Sequence, residues 1–107
     1  MSYRIAPEGE CYPVWVFTTG DPIPDNCSPE RLVAEFGLPA DLVAAIDAWD
    51  DEFQAVYDRE DPKNSGFPDE ATTAVWLEHG EGLAGRLASE VSARVEFRTA
   101  RGQRVFD

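Results

Sequence analysis

Pro39-Ala40-Asp41-Leu42-Val43-Ala44-Ala45-Ile46-Asp47-Ala48-Trp49-Asp50-Asp51-Glu52-Phe53-Gln54-Ala55-Val56-Tyr57 reads as one long amphipathic helix. Leu42, Ile46, Trp49, Phe53 and the Val56/Tyr57 pair recur at three- and four-residue steps, and at about 100° per residue they gather into one apolar stripe. Asp47, Asp51 and Asp58 fall on the opposite face, flanked by Asp50 and Asp61. Ala44, Ala48 and Ala55 form a third strip, of small side chains, which would let a neighbouring helix approach closely.

A helix with one apolar stripe needs another layer to bury it. The following segment, Asp61-Pro62-Lys63-Asn64-Ser65-Gly66-Phe67-Pro68, is a loop by its turn residues. A second long helix then runs from about Asp69 to Val91, striped by Trp76, Leu83, Leu87 and Val91, with Gly80 and Ala84 on the same side. Gly80, Gly82 and Gly85 each cost about 1 kcal/mol against alanine in a helix interior. Gly80 is expected to sit against the alanine strip; nothing in the sequence accounts for Gly82 or Gly85.

On the other side of the first helix, Ser28 can cap and Pro29 can open a short helix to about Phe36, closed by Gly37. The strands lie at the two ends. Tyr3 to Ile5 and Cys11-Tyr12-Pro13-Val14-Trp15-Val16-Phe17-Thr18 are rich in β-branched and aromatic residues, and Pro22, Pro24 and Asn26 then read as irregular chain. Arg94-Val95-Glu96-Phe97-Arg98 alternates as a half-buried strand, and Val105-Phe106 follows a turn at Arg101-Gly102-Gln103. The expectation is an α+β fold over residues 1–107 as one domain: a small antiparallel or mixed sheet from N- and C-terminal strands, covered by a two-helix hairpin plus one short helix.

Nine basic and 21 acidic residues give a net charge of −12. Bringing phosphate to such a surface costs Coulomb energy, which disfavours DNA, RNA and anionic membranes and favours a basic protein partner. The charge is uneven: residues 41–61 hold eight acids and one base, whereas residues 94–107 hold four arginines and two acids. Either that helix is a docking face for a basic protein, or those arginines pair with its acids inside the domain or among neighbours in an oligomer. Cys11 and Cys27 are the only cysteines, no apolar run suits a signal peptide or a membrane span, and two free thiols in a cytoplasmic protein are expected.

Each apparent catalytic motif has a plainer reading. Gly80-Glu81-Gly82-Leu83-Ala84-Gly85 is a literal G-x-G-x-x-G, but a dinucleotide fingerprint needs it in a strand-to-helix turn. Here the helical stripe runs through it, and Glu81 would put a carboxylate among the phosphates. His79, the only histidine, falls at the border of the apolar stripe, where partial burial is expected; no nucleophile motif surrounds Ser65, Ser89, Cys11 or Cys27. Asp58, Glu60 and Asp61 lack calcium-loop spacing, since Pro62 and Lys63 take the fifth and sixth positions. Asp47, Asp50 and Asp51 read as a solvated helix face.

The segments Tyr12-Pro13-Val14-Trp15-Val16 and Asp25-Asn26-Cys27-Ser28-Pro29, the helix around Ala48-Trp49, Asp61-Pro62 with Ser65-Gly66-Phe67, and Gly82-Leu83-Ala84-Gly85-Arg86-Leu87-Ala88 together resemble a group of short acidic proteins of actinobacteria. The resemblance covers most of the chain. It implies no catalytic residue, and it implies a helix through Gly80–Ala88, with charged residues in that group where this chain has Gly82 and Gly85.

The functional expectation is a non-enzymatic interaction domain, an immunity- or antitoxin-like inhibitor of a basic partner. Asp47, Asp50, Asp51, Asp58 and Asp61 are its expected contact residues, with no cofactor, metal, nucleic acid or membrane, and with self-association left open. The competing expectation is a small enzyme or ligand-binding domain whose pocket between sheet and helices brings together Tyr12, Trp15, Cys27 and His79.

Overall fold

The computed structural model describes residues 1–58, 60 and 66–107. Five strands, β1 (Ser2–Ile5), β2 (Val14–Phe17), β3 (Asp25–Asn26), β4 (Val95–Thr99) and β5 (Gly102–Phe106), form one sheet in the order β3-β2-β1-β4-β5. The helices are α1 (Pro29–Ala34), α2 (Ala40–Val56) and α3 (Glu70–Val91). Pairing is antiparallel except between β1 and β4, which run parallel with Tyr3 opposite Val95 and Ile5 opposite Phe97. The mixed α+β sheet under three helices is the one the terminal strands and central helices require. The short strand β3 falls where proline and asparagine read as irregular chain: Asn26 pairs with Trp15 in the ladder, and its side-chain amide also donates to the Tyr12 carbonyl at 2.6 Å.

Strand alternation divides the sheet into two faces. Tyr3, Ile5, Val14, Val16, Val95 and Phe97 turn inward and are buried. The register places Asn26, Trp15, Arg4, Glu96 and Val105 in one row across the five strands. On this row, which alternation sets on the opposite face, Arg4 lies 4.8 Å over the Phe17 ring. Its Nε approaches Glu96 Oε1 to 3.2 Å at an angle too oblique for a hydrogen bond, while Nη2 reaches Oε2 at 3.5 Å.

The helices begin where local chemistry lets them. The Ser28 hydroxyl accepts the Arg31 N–H at 3.3 Å to start α1, Pro29 fills its first position, and Gly37 turns left-handed (φ +68°) beyond its end. The Asp69 carboxylate accepts the Thr72 N–H at 2.7 Å to start α3. Between α2 and α3 lies a reciprocal clasp. The Trp49 and Trp76 rings stack with centroids 4.5 Å apart, the Trp49 indole donates to the Trp76 carbonyl at 2.9 Å, and the Trp76 indole donates to the Trp49 carbonyl at 3.2 Å. Both polar handles are thereby satisfied inside the core, as buried indoles require.

Gly80 belongs to this clasp. A Cβ there would lie 2.5 Å from Trp49 Cζ2 and 2.7 Å from Phe97 Cζ, so the bare backbone makes room for two aromatic rings. This corrects the expectation that Gly80 meets the alanine strip: Ala44, Ala48 and Ala55 are all exposed. The indoles, being larger than alanine, set the approach of the two helices, which leaves the small side chains facing outward. Gly85 lies beside the Phe106 ring, where a Cβ would meet carbon at 3.5 Å, and Gly82 faces open space.

Candidate partner-binding face

The outward side of α2 carries small side chains between two rows of carboxylates. Ala44, Ala48 and Ala55 are exposed; Asp47 and Asp51 lie to one side of them by helical angle, and Asp41 and Glu52 to the other, while Asp58 follows the extended Tyr57 beyond the helix end. Asp51 and Asp58 are exposed, Asp47 is half-buried, and the Asp58 carboxylate accepts the Glu60 N–H at 3.0 Å. Asp61, named with them from the sequence, lies outside the described residues. No basic side chain occupies the last turn of α2, so the partial negative charge of that helix end adds to the field of its acids.

Two of the four arginines of the C-terminal segment pair with α3. Arg101 binds Glu70 and Arg104 binds Glu81 at 2.8 Å, both acids belonging to α3. Arg86 of α3 binds Asp41 at the start of α2. Among the described residues Asp47 and Asp51 have no cationic partner. Burial, then the charges of Asp51 and Glu30, hold the Asp47 carboxyl above its ordinary range.

Asp50 departs from the expectation that it flanks this face. It is 4% exposed, because its helical angle sets it among Val43, Ile46 and Tyr57 on the buried side of α2. The chain between β1 and β2 passes here. Gln54 clamps that loop: its amide donates to the Glu8 carbonyl at 2.8 Å, and its oxygen accepts the Glu10 N–H at 3.1 Å. Gly9 lies flat on the Tyr57 ring, where a Cβ would overlap Cζ at 2.0 Å. Gln54 also donates to Asp50 Oδ2 at 3.3 Å, while Oδ1 is buried with no hydrogen-bond donor. Burial, only partly offset by the Gln54 hydrogen bond and reinforced by Asp47 and Asp51, pushes the Asp50 carboxyl up to about 6.

The features that suggested chemistry do not assemble. G-x-G-x-x-G is continuous α-helix in α3, not a phosphate-cradling turn. His79 is exposed instead of half-buried, since α2 reaches α3 through Trp49 and leaves that flank to solvent. Tyr12 is exposed, Cys27 is buried in the core, and Trp15 alternates onto the outer sheet face while its indole donates to the Ala6 carbonyl at 3.1 Å. These three and His79 do not converge on a pocket. Cys11 and Cys27 are free thiols. Among the described residues no group of three or more histidine, cysteine or carboxylate side chains could hold a metal ion, and no helix is long and apolar enough to cross a membrane.

Two clefts open at the end of the molecule where α2 finishes and α3 begins. One, of about 530 Å³, is walled by Phe53, Phe67, Trp76 and Leu77, with Asp69, Glu70 and Arg101 also lining it. The other, of about 340 Å³, lies between Glu52 of α2 and Val75 and His79 of α3. Phe67 and Trp76 line both.

Residues 1–99 match the family model described as Serratia CdiI immunity protein-like. The chain belongs to that family. No curated protein matches it. Asp47 and Asp51 lie on the outward side of α2, the face on which the sequence set them. The clefts were not legible in the sequence. They depend on where Phe67 packs between α2 and α3, and their one sequence signal is Val75, an apolar residue off the α3 stripe that is 68% exposed.

Proposed function

We propose that this protein is a non-enzymatic immunity protein that binds a toxin and neutralises it by covering a basic surface of the toxin with the outward face of α2. Asp47, Asp51 and Asp58 supply the charge, and the exposed alanines between the carboxylate rows let the toxin backbone come close. The observation that carries this reading is the pairing pattern: Arg101 and Arg104 are bound to α3, and among the described residues Asp47 and Asp51 have no cationic partner. Carboxylates left so on one helix raise the on-rate for a basic partner and keep like-charged proteins away. Asp50 supports the face from within. Inhibition takes place in the cytoplasm, where both thiols stay reduced.

The test uses as probe the product of the reading frame immediately upstream of this chain's gene, expressed as the candidate toxin. Co-expression is expected to rescue cells from the toxin, and the purified pair is expected to bind with an affinity that falls as salt rises. Charge reversal in D47K/D51K is expected to slow association by about tenfold or more at low salt. Binding indifferent to both salt and charge reversal would remove the acidic face from the interface.

A further inference from the structure

We propose that the two clefts beside Phe67 form the apolar centre of the toxin interface and take from the toxin an apolar side chain flanked by lysine or arginine. This rests on the immunity reading and adds the place where the contact is anchored. Protein interfaces draw most of their affinity from a few residues seated in desolvated pockets, with a polar rim around them. The end of the molecule formed by α2, α3 and the β4–β5 turn has that anatomy. The larger cleft, at about 530 Å³, is within the range of roughly 300–1,000 Å³ typical of binding pockets. Phe53, Phe67 and Trp76 give its walls three aromatic rings, and Val75 outside them presents an exposed apolar side chain.

The surrounding charge selects the occupant. Asp69 and Glu70 line the larger cleft and Glu52 the smaller, against one placed cation, Arg101, whose guanidinium is already held by Glu70. The excess is negative, so a segment entering beside these groups is favoured if it carries positive charge, and its methylene stems can lie along Phe67 and Leu77. Glu52 belongs both to the smaller cleft and to the outward flank of α2. A toxin seated on the aspartate face therefore reaches the clefts without a second docking surface, and charge brings it to the place where apolar burial holds it.

The experiment measures the same upstream-frame product binding to the full chain and to V75R, F67A and Q103R. Val75 and Gln103 are both exposed and each variant adds one positive charge, but Gln103 lies on β5 and lines neither cleft. V75R and F67A are expected to raise Kd by about tenfold or more, mainly through faster dissociation, with Q103R close to the parent. V75R keeps the test valid if F67A loses fold. Parental affinity in V75R would overturn the cleft assignment while leaving the immunity reading in place. So would an equal loss in Q103R, which would reduce the effect to net charge. A homodimer of the free chain that V75R dissolves would make a second copy the occupant and also overturn the assignment. No binding by the parent chain would refute the immunity reading itself.

Discussion

Replacing Asp50 with asparagine should stabilise the protein at neutral and alkaline pH, although it removes a charge from a buried hydrogen-bonded site. The Asp50 carboxyl is 4% exposed, accepts one hydrogen bond from Gln54, leaves Oδ1 without a donor, and ionises at about 6 instead of 3.8. Each tenfold change in proton affinity corresponds to about 1.36 kcal/mol, so ionising Asp50 in the folded state costs about 3 kcal/mol more than in the unfolded chain. The sign follows from linkage. A carboxyl whose folded value is raised holds its proton more tightly when folded, so this contribution grows as pH falls through 6 and is complete below the unfolded value of 3.8. About half of the difference falls between pH 8 and pH 5.

Asparagine keeps an oxygen for Gln54 and carries no charge, but buries an amide that costs about 1 kcal/mol if poorly paired. The net gain expected for D50N at pH 8 is about 1–2 kcal/mol, a rise in urea midpoint of roughly 1 M for a chain of this size. The gain should shrink towards pH 5. Paired urea titrations of parent and D50N at the two pH values measure it, and their difference isolates Asp50 from the other carboxylates. An asparagine variant that is less stable by the same amount at both pH values would refute the reasoning, because the ionised carboxylate would then be a favoured part of the fold.

The glycines of α3 give a second, opposed pair of outcomes. G80A should lose about 1–3 kcal/mol because its methyl meets the Trp49 and Phe97 rings at under 3 Å, whereas G82A should gain about 0.5–1 kcal/mol in open space, both read as chemical-denaturation midpoints. W49F removes an indole N–H from the Trp76 carbonyl and unbalances the clasp; a loss of about 2 kcal/mol or more is expected, with a changed near-ultraviolet circular dichroism signal from Trp76. S28A should cost about 1 kcal/mol through the lost cap of α1, seen as a lower thermal midpoint.

The fold was largely legible because its signals are local. Leu42, Ile46, Trp49 and Phe53 recur at helical spacing, Val95 and Phe97 alternate, and Ser28-Pro29 and Gly37 punctuate α1, so each element follows from its own residues. What failed was long-range. Helical angle put Ala44, Ala48 and Ala55 together, but nothing local said that Trp49 and Trp76 would make the contact between the helices and leave the alanines outside. The same angle placed Asp50 beside Ile46, yet a carboxylate there reads as surface until the loop at Gly9 is seen to close over that side of α2. Of the face itself, Asp47, Asp51 and Asp58 were visible as a stripe, while the clefts arise from three segments distant in sequence.

The parallel pairing of β1 with β4 has a consequence for biosynthesis. Ile5 waits for Phe97, some 90 positions later, so a ribosome delivering this chain releases the middle strand of the sheet before its neighbour exists. The two long helices emerge in the interval with their indoles in place but without the full platform they cover. The sheet cannot close before β4 has been made, and a chain stalled ahead of β4 would expose the tryptophan layer to chaperones or to proteolysis.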